Sequence, residues 1–454
     1  MGTEFRNPSL FWLGAAAAAA GVALHLPMYL STADLHYRMA GMRPDATMII
    51  GMALILGGLA ASCYGIVPGR TGGRPVPATT RVAVGSDTRL NATSVKLLLV
   101  LALAVVIDAM KPISLAFVAP GMAKEYGLTS AANPHGGLPV ALVPLAGITG
   151  TVIGSFLWGW FGDRIGRRAS IIMAGLLFMT TAICGTMPSY QWNLFMCFMM
   201  GIGAGGMLPI TFTLIAETVP ARHRGWIMVV IGGEITATYA IVSWLASSLI
   251  PHFAWRIMWL LGLPTGLLLI ALSRWIPESA RFLLARGRVD EAHAVLRRFG
   301  ATLVDADGRA PTTAPTRARS GLAGRSTLII LLGIGIGFVT YGFQLWIPSN
   351  LQKLGLGEVA SDTLLRNSAL IGYPFTFIAA WLYGFWSSKK TILLVTAVTV
   401  LSLIGFVSLG DTVTKHQALL TALMAVPLLA TGTLVAVLGA YTSEVYPTLL
   451  RARG

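Results

Sequence analysis

The chain has 454 residues, of which 55% are hydrophobic and 11% are charged, and its formal net charge is +15. Soluble globular domains carry about 25% charged residues, so this composition excludes an ordinary soluble protein. Apolar runs of about 20 residues, enough to cross a hydrocarbon core of roughly 30 Å, recur along the sequence. An open sheet edge leaves backbone groups unpaired in lipid, which excludes strands from the membrane part. We therefore predict an all-α polytopic membrane protein.

Twelve membrane spans are predicted in chain order. They cover residues 9–30, 47–67, 96–118, 139–160, 169–188, 192–215, 226–249, 255–276, 326–349, 367–387, 391–410 and 417–442. The first span follows Arg6 and has an alanine-rich core, as a signal peptide does. It is long for that role, and a second span follows soon after, so we predict that it is retained.

The basic residues favour one side of the membrane. With the N-terminus in the cytoplasm, most of the 33 Lys and Arg residues fall on the cytoplasmic side, as the positive-inside rule requires. This distribution explains the net charge without a nucleic-acid partner and predicts a multi-pass protein of the plasma membrane. The three cysteines lie inside apolar runs without metal-type spacing or a disulfide framework. We therefore expect no metal and no cofactor.

Five segments follow from the pattern of spans and linkers. They are an extra N-terminal helix pair at 1–67, a cytoplasmic linker at 68–94, a six-helix half at 95–276, a central cytoplasmic loop at 277–325, and a second half with four helices at 326–454. The loop begins with apolar residues at helical spacing, which predicts amphipathic helices. Its later part has the composition of a disordered segment.

A duplicated element divides the chain into two halves. The stretch "AETVPARHRG" carries Glu217 and Arg224, and "SEVYPTLLRARG" carries Glu444 and Arg451 in the same E-x-x-P-x-x-x-R pattern. Each copy follows the fourth span of its half, as expected for a transporter built from two parallel six-helix halves. Two spans follow the first copy and none follows the second. The pattern therefore predicts two further helices after Gly454, and we expect the sequence to be truncated there.

A charged turn joins the fourth and fifth spans. The stretch "GWFGDRIGRR" fits G-x-x-x-D-R-x-G-R-R with Gly159, Asp163, Arg164, Gly166, Arg167 and Arg168. We expect Gly159 and Gly162 to admit a neighbouring helix closely, and Asp163 to cap the next helix and bind nearby arginines. The motif resembles that of the major facilitator superfamily, in which it latches the outward-facing state on the cytoplasmic side. The alternative is a plain basic turn.

A second motif narrows the resemblance. The stretch "PESARFLLARGR" resembles a sequence that follows the sixth helix in sugar porters, organic-ion transporters and aromatic-acid–proton symporters, although Phe282 replaces the usual Trp. Glu278 and Arg281 are three apart and can pair on a helix. The resemblance implies cytoplasmic ion-pair networks formed by Glu217, Arg224, Glu278, Arg281, Glu444 and Arg451. The alternative is exposed pairs of little energetic weight.

The glycines of "GIGAGG" at 201–206 match a dinucleotide fingerprint, but they lie inside an apolar helix rather than after a strand. We predict instead a helix-packing face formed by Gly201 and Gly205. The family often has an arginine four residues before the first glycine. Here that position is Cys197, which removes a cation from the predicted site.

Ionisable groups at membrane depth are costly and are functional candidates by default. Asp108 and Lys111 lie three residues apart in "VVIDAMKPISLAF", and Glu234 lies in "VVIGGEITATYA". We predict that Asp108 or Glu234 carries a coupled proton and that Lys111 receives a substrate carboxylate. The alternative is an internal Asp108–Lys111 pair, with Glu234 as a structural hydrogen-bonding group.

The first helix of the second half lines the central cavity in the family that the motifs resemble. Tyr341 and Gln344 are its candidate substrate ligands here, and an aromatic belt at the interface is the alternative.

The sequence thus predicts a secondary active transporter rather than an enzyme. Its partners would be a small organic solute (an organic acid or a sugar-like metabolite), a symported H⁺ and the lipid bilayer, with transport by alternating access. A drug–proton antiporter and a non-transporting receptor or regulatory pseudo-transporter are the alternatives. Substrate identity and oligomeric state do not follow from the sequence.

Overall fold

The computed structural model describes residues 5–66, 80–84, 90–130, 133–305, 316–410 and 416–445. Its helices are α1 (Pro8–Ala23), α2 (Leu26–Ser31), α3 (Ala46–Ile66), α4 (Ala92–Glu125), α5 (Leu142–Arg164), α6 (Arg167–Thr180), α7 (Tyr190–Ala204), α8 (Met207–Thr218), α9 (Ala221–Phe253), α10 (Ile257–Leu260), α11 (Gly262–Leu272), α12 (Ala280–Ala285), α13 (Val289–Arg298), α14 (Thr316–Gly337), α15 (Ile347–Lys353), α16 (Glu358–Phe385), α17 (Ser388–Leu409) and α18 (Gln417–Val445). Its strands are β1 (Thr80–Val84) and β2 (Ala301–Asp305).

The predicted helical membrane architecture is confirmed. Within the described residues, 12 helical segments are long and apolar enough to cross a membrane. Most predicted boundaries agree with the helices to within a few residues. The first helix of the ninth span, which was placed at 326–349, begins earlier at Thr316. The tenth span was placed at 367–387, whereas α16 begins at Glu358. Asp362 therefore lies inside a membrane span instead of in the loop before it.

Because consecutive spans run in opposite directions, their connections fall at two ends of the molecule. We call the end that carries the connections at 164–167, 218–221 and 273–300 the basic end. The other end, which carries the connections at 126–141, 254–256 and 354–357, is called the opposite end.

A small sheet lies at the basic end. Strand β1 from the linker pairs antiparallel with β2 from the central loop, with Thr80 opposite Asp305 and Val84 opposite Ala301. The Asn91 side chain donates to the Arg298 carbonyl at 2.8 Å and so fastens the start of α4 to α13. Helices α12 and α13 confirm the predicted amphipathic part of the loop. Of the stretch 306–321, which was predicted to be disordered, 306–315 lies outside the described residues, and the prediction is wrong for 316–321 because α14 begins at Thr316.

The N-terminal helix pair packs on the third membrane helix of the first half. Helices α1 and α3 contact each other and α6. One buried cluster joins Phe11 and Ala18 of α1 to Leu176 and Met179 of α6. The pair therefore replaces lipid on one side of α6.

The two halves meet along a seam in which α9 packs against α16 and α18. At the opposite end, a buried apolar cluster joins α4, α9, α15 and α16, and we call it the seal. Its members include Phe117, Tyr239, Leu345, Leu351 and Leu365. A second cluster joins the halves toward the basic end through α4, α8, α9, α16 and α18. The halves are thus in contact at both ends.

Candidate functional site

The charged turn between α5 and α6 takes the predicted place at the basic end. Gly166 has φ = +105°, a backbone conformation that favours glycine over any residue with a Cβ. The Asp163 carboxylate accepts from the Arg167 guanidinium at 2.7 Å while remaining 60% exposed. Around Gly159, in contrast, nothing in the described structure lies within 4 Å of the position a Cβ would take. The predicted close helix approach at Gly159 is therefore wrong.

Glu278, and not Asp163, caps the helix after the turn. Its carboxylate accepts the backbone N–H of Arg167 at 2.6 Å and that of Arg168 at 3.3 Å. Negative charge at a helix N-terminus satisfies unpaired N–H groups and complements the helix dipole. The predicted cap was assigned to the wrong acid because the capping residue lies more than a hundred residues further along the chain.

The first copy of the duplicated element forms a buried polar cluster with the second motif. Glu217 is buried and accepts from the Ser279 hydroxyl at 2.6 Å, and the Arg281 Nε lies 4.0 Å from its carboxylate. The Arg224 guanidinium donates to the Val219 carbonyl at 2.7 Å. These contacts fasten the end of α8 to the start of α12. The side chain of Glu444 and residue Arg451 lie outside the described residues.

Close packing between α5 and α7 confirms the predicted glycine face. A Cβ at Gly201 would collide with the Gly147 carbonyl, and one at Gly205 would collide with the Thr151 carbonyl. The two helices therefore approach each other at backbone distance, which larger side chains would prevent.

Asp108 and Lys111 are both buried in α4 but do not pair. The Lys111 ammonium donates to the Phe178 carbonyl and to the Thr181 hydroxyl, the latter at 2.8 Å, and it lies 4.5 Å from the Phe178 ring centroid. Within the described part of the chain, no ion pair or hydrogen bond to the Asp108 carboxylate is formed, although only 8% of this residue is exposed. The alternative of an internal Asp108–Lys111 pair is thus excluded in this conformation.

Glu234 bridges the two halves. The Tyr373 hydroxyl on α16 lies 3.1 Å and 3.2 Å from the two carboxylate oxygens of Glu234 on α9. Glu234 is half-buried, whereas Thr238, one turn further along α9, is fully buried. The carboxylate therefore lies in the seam between α9 and α16 and is partly exposed.

Tyr341 and Gln344 lie in an irregular part of the first helix of the second half. A π-helical turn covers Phe338–Phe343, and such turns are frequent at functional sites. Tyr341 is 37% exposed, whereas Gln344 is buried and its backbone carbonyl accepts from the Tyr239 hydroxyl at 3.5 Å. Gln344 therefore lies beside the seal, between the two halves.

Sequence reasoning missed a buried ion pair at the opposite end. Arg256 is fully buried and contacts Glu125 at 2.7 Å and 3.2 Å. The Trp255 indole donates to the same carboxylate at 2.8 Å, and the backbone N–H groups of Met39 and Ala40 donate to it at 2.8 Å and 3.0 Å. The sequence signal was an arginine inside the aromatic run "FAWRIMW". The N-terminal helix pair thus completes a charge network of the first half.

Tyr126 extends this network. Its hydroxyl accepts from Arg256 at 2.9 Å and donates to the Met187 carbonyl at 2.9 Å. Burial raises the pKa of Tyr126 to about 12, so the hydroxyl keeps its proton and remains a donor near neutral pH.

A second missed residue is Asp362 on α16. Only 2% of it is exposed, and it lies one turn inside the membrane span from the opposite end. The predicted start of the span at 367 left Asp362 in a loop. The apolar residues Leu364, Leu365 and Ala369 nevertheless continue the helical spacing toward it.

Within the described ranges, 12 helical segments long and apolar enough to cross a membrane pack together with ionisable side chains buried among them, as in a polytopic helical membrane protein. Residues 97–454 match the model of the Major Facilitator Superfamily, and the chain belongs to this family. It is a transporter and not an enzyme. The N-terminal helix pair lies outside the matched residues.

Relatives and solved structures agree with this assignment. The chain is 31% identical to the niacin transporter NiaP of Acinetobacter baylyi, over 79% of this chain and 81% of that protein. It is 27% identical to a gallate transporter of Pseudomonas putida, over 84% and 85% of the two chains. Its fold is similar to a partially occluded, inward-open structure of the xylose transporter XylE from E. coli, with a TM-score of 0.59 and 20% identity, covering 76% of this chain and 87% of that one.

Proposed function

We propose that this chain is a proton-coupled symporter that carries a small organic acid across the plasma membrane by alternating access, with its N-terminus in the cytoplasm. The names of two relatives support the substrate class. Niacin and gallate, which those relatives carry, each consist of an aromatic ring bearing a carboxylate. The excess of basic residues at one end supports the orientation.

The observation that carries the proposal is the hydrogen bond between Glu234 and Tyr373. It joins a carboxylate of the first half to a hydroxyl of the second half at 3.1 Å and 3.2 Å. Alternating access requires the two halves to move against each other. Adding a proton to Glu234 weakens it as an acceptor, and this changes the stability of a contact that the movement must alter.

Asp108 is the second coupling residue in this proposal. A buried carboxylate without a partner is strongly destabilised when ionised, because no donor replaces its lost hydration. Asp108 has no hydrogen-bond or ion-pair partner in the described part of the chain. It is therefore suited to hold a proton while the site is closed and to release it when water enters.

Lys111, Tyr341 and Gln344 remain the proposed substrate ligands. The Lys111 ammonium supplies the positive charge that a carboxylate substrate needs, but it must first leave the Phe178 carbonyl and the Thr181 hydroxyl. Tyr341 is the most exposed of the three and offers both a ring face and a hydroxyl. In this assignment an organic acid binds between α4 and the irregular segment at 338–346 that follows α14.

The basic end would form the cytoplasmic latch. Asp163 and Arg167 join the ends of α5 and α6, and Glu217 joins α8 to the motif residues Ser279 and Arg281. The Asp163 carboxylate is exposed, and exposed ion pairs contribute little energy individually, so the Asp163–Arg167 contact can open without a large barrier.

Uptake into proteoliposomes tests the proposal. With a pH gradient that is acidic outside, labelled nicotinate should accumulate above the level that protein-free liposomes reach by passive entry of the uncharged acid, and a protonophore should abolish this excess. Nicotinamide, which lacks the carboxylate, is the matched control and should not accumulate. Saturable binding without accumulation would overturn the transport proposal and favour a receptor. Accumulation that persists with the protonophore would overturn proton coupling alone.

A further inference from the structure

Asp362 lies on the side of α16 that packs into the seam. Residues at helical spacing from it, namely Leu365, Ala369, Gly372 and Thr376, are all buried. The Thr376 side chain contacts Gly233 of α9, and a Cβ at Gly372 would lie 3.1 Å from the Ala425 carbonyl of α18. The carboxylate of Asp362 is therefore on the packed side of α16, where the second half meets the first.

The surroundings of Asp362 are largely apolar. The next turn of α16 contributes Leu365 to the seal, together with Leu351 of α15 and Phe117 of α4. Two nearby hydroxyl groups donate elsewhere: that of Tyr239 on α9 to the Gln344 backbone carbonyl and that of Ser361 to the Gly357 carbonyl.

The charged and titratable groups near Asp362 are few. Glu358 lies one turn earlier on the same helix, and its negative charge opposes ionisation of Asp362. Tyr239 faces it from α9, while Lys124 at the end of α4 acts on Glu358. Neither α4, α15 nor α18 supplies a paired charge, and among the described residues Asp362 has no hydrogen-bond partner at all.

Because Asp362 is 2% exposed and has no donor among the described residues, its carboxyl group favours the neutral form while the seal is closed. Its ionised form would lack both solvent and a donor, which costs far more than a neutral carboxyl group in the same place. The proton can therefore leave only if water reaches α16, and water reaches it only if the seal between α9, α15 and α16 opens.

We propose that Asp362 is a further proton-binding residue, in the second half, and that its proton holds the seal closed. Release of this proton opens the opposite end of the transporter, and uptake of a proton closes it. The proposal rests on the proposed function in one respect, namely that protons drive the movement of the halves. It adds the group that links proton binding to one particular gate.

Thiol labelling of the seal tests this inference without any substrate. The reporter is Leu351→Cys, because Leu351 is 1% exposed and lies in the seal. The background is Cys63→Ser, which removes the exposed native cysteine and leaves the buried Cys184 and Cys197. The protein is placed in nanodiscs so that a water-soluble maleimide reaches both ends.

The labelling rate is measured with Asp362 intact and with Asp362→Asn at each pH from 5 to 9. Dividing the rate measured with Asp362 intact by the rate measured with Asp362→Asn removes the intrinsic pH dependence of the thiol. We expect labelling in the Asp362→Asn protein to stay slow, because the amide cannot ionise. The ratio should then rise with pH, with a limiting slope of roughly tenfold per pH unit for release of one proton. A flat ratio would overturn the proposal.

Two further variants complete the test. Glu358→Gln changes the neighbouring exposed carboxylate on the same side of α16 and should leave the rise with pH in place. Asp362→Glu retains a titratable group and should also retain the rise, so that a folding defect in Asp362→Asn does not decide the outcome. If the labelling rate still rises with pH in Asp362→Asn but no longer rises in Glu358→Gln, the assignment to Asp362 is overturned. Since no substrate is present, these outcomes are independent of whether the protein carries an organic acid.

Discussion

Glu125 and Asp108 are two carboxylates on the same helix, α4, with opposite surroundings. Glu125 accepts hydrogen bonds from Arg256, Trp255 and two backbone N–H groups of the N-terminal extension. Asp108, about 25 Å away along the helix at 1.5 Å per residue, is equally buried and has no partner among the described residues.

The difference separates a structural charge from a functional one. A buried ion pair with every hydrogen bond formed holds its elements together and has no reason to change its proton occupancy. A buried carboxylate without donors gains no hydrogen bond or ion pair from the fold, and its charge depends on whether water can reach it. On this physical ground we propose that Glu125 stabilises the fold, and that Asp108 and Asp362, which have no donor among the described residues, take part in proton coupling.

The largest expected effect is on the stability of the Glu125 network. Glu125→Gln leaves Arg256 buried without its counter-charge, and we expect the free energy of unfolding to fall by about 3–5 kcal/mol. Chemical unfolding in detergent, followed by circular dichroism, measures it. The matched control is Glu291→Gln, which breaks an exposed pair with Arg288 and should cost less than about 1 kcal/mol. Equal losses in both variants would contradict the structural role of Glu125.

Asp108→Asn should have the opposite effects to Glu125→Gln: transport should be impaired and stability should not. We expect accumulation of labelled nicotinate to fall to the equilibrium level, because an amide cannot carry the coupled proton. The free energy of unfolding should be unchanged or higher, since no partner is lost and no charge is buried. A large loss of stability with normal proton-driven accumulation would show that Asp108 has been placed in the wrong class.

Glu234 is intermediate between Glu125, which has several donors, and Asp108, which has none, because Glu234 accepts from Tyr373 alone among the described residues. Glu234→Gln should abolish acceleration of uptake by an imposed pH gradient while sparing exchange of labelled for unlabelled substrate. Tyr373→Phe removes only the donor, so it should keep the coupling and shift its pH dependence. If Glu234→Gln retains the full pH dependence of uptake, Glu234 is a structural hydrogen-bonding group instead.

The smallest expected effect concerns a carboxylate outside the spans. Asp45 accepts from the Met48 N–H at 2.7 Å and the Thr47 hydroxyl at 2.8 Å, and these bonds lower its pKa. Its contribution to stability is therefore complete above the unfolded pKa of about 3.9 and is lost as the pH falls through the lower, folded pKa. Asp45→Ala should cost about 0.5–2 kcal/mol at pH 6, and Asp45→Asn less. Unfolding curves at pH 6 and pH 3 check both, and a cost that is the same at the two pH values would contradict the cap.

A comparison of helices α6 and α17 shows that the hydropathy of a membrane helix does not predict how much of it is buried in the protein. Each is the third membrane helix of its half, and α17 is the more apolar, with a mean hydropathy of 2.6 against 1.8 for the span Arg167–Thr186. In the span that contains α6, 89% of the residues are buried inside the protein, whereas in α17 only 11% are buried. Helix α6 packs against α1, α3, α7 and α11, whereas α17 contacts α16 and α18 in the described structure. Lipid is as apolar as a protein interior, so hydropathy predicts that a helix spans the membrane but not which neighbours it has.

The site shows the same division between local and distant information. The number of spans, the turn at Gly166 and the packing of Gly201 against α5 follow from residues close in sequence, and each is confirmed. The cap that Glu278 gives to α6 and the Glu125–Arg256 pair join residues more than a hundred positions apart, and no local pattern predicts them. Asp362 was missed because a polar stretch at the start of a helix lowers local hydropathy.

Proton movement coupled to substrate is the central claim, and one flux measurement tests it directly. Proteoliposomes containing a lumenal pH dye and no imposed gradient receive external nicotinate. Symport predicts that the lumen acidifies beyond the pH change in protein-free liposomes, and that Asp108→Asn abolishes this excess while still exchanging labelled nicotinate. An excess of acidification that is the same in Asp108→Asn, or substrate entry without any proton, would contradict the coupling role of the unpaired carboxylates.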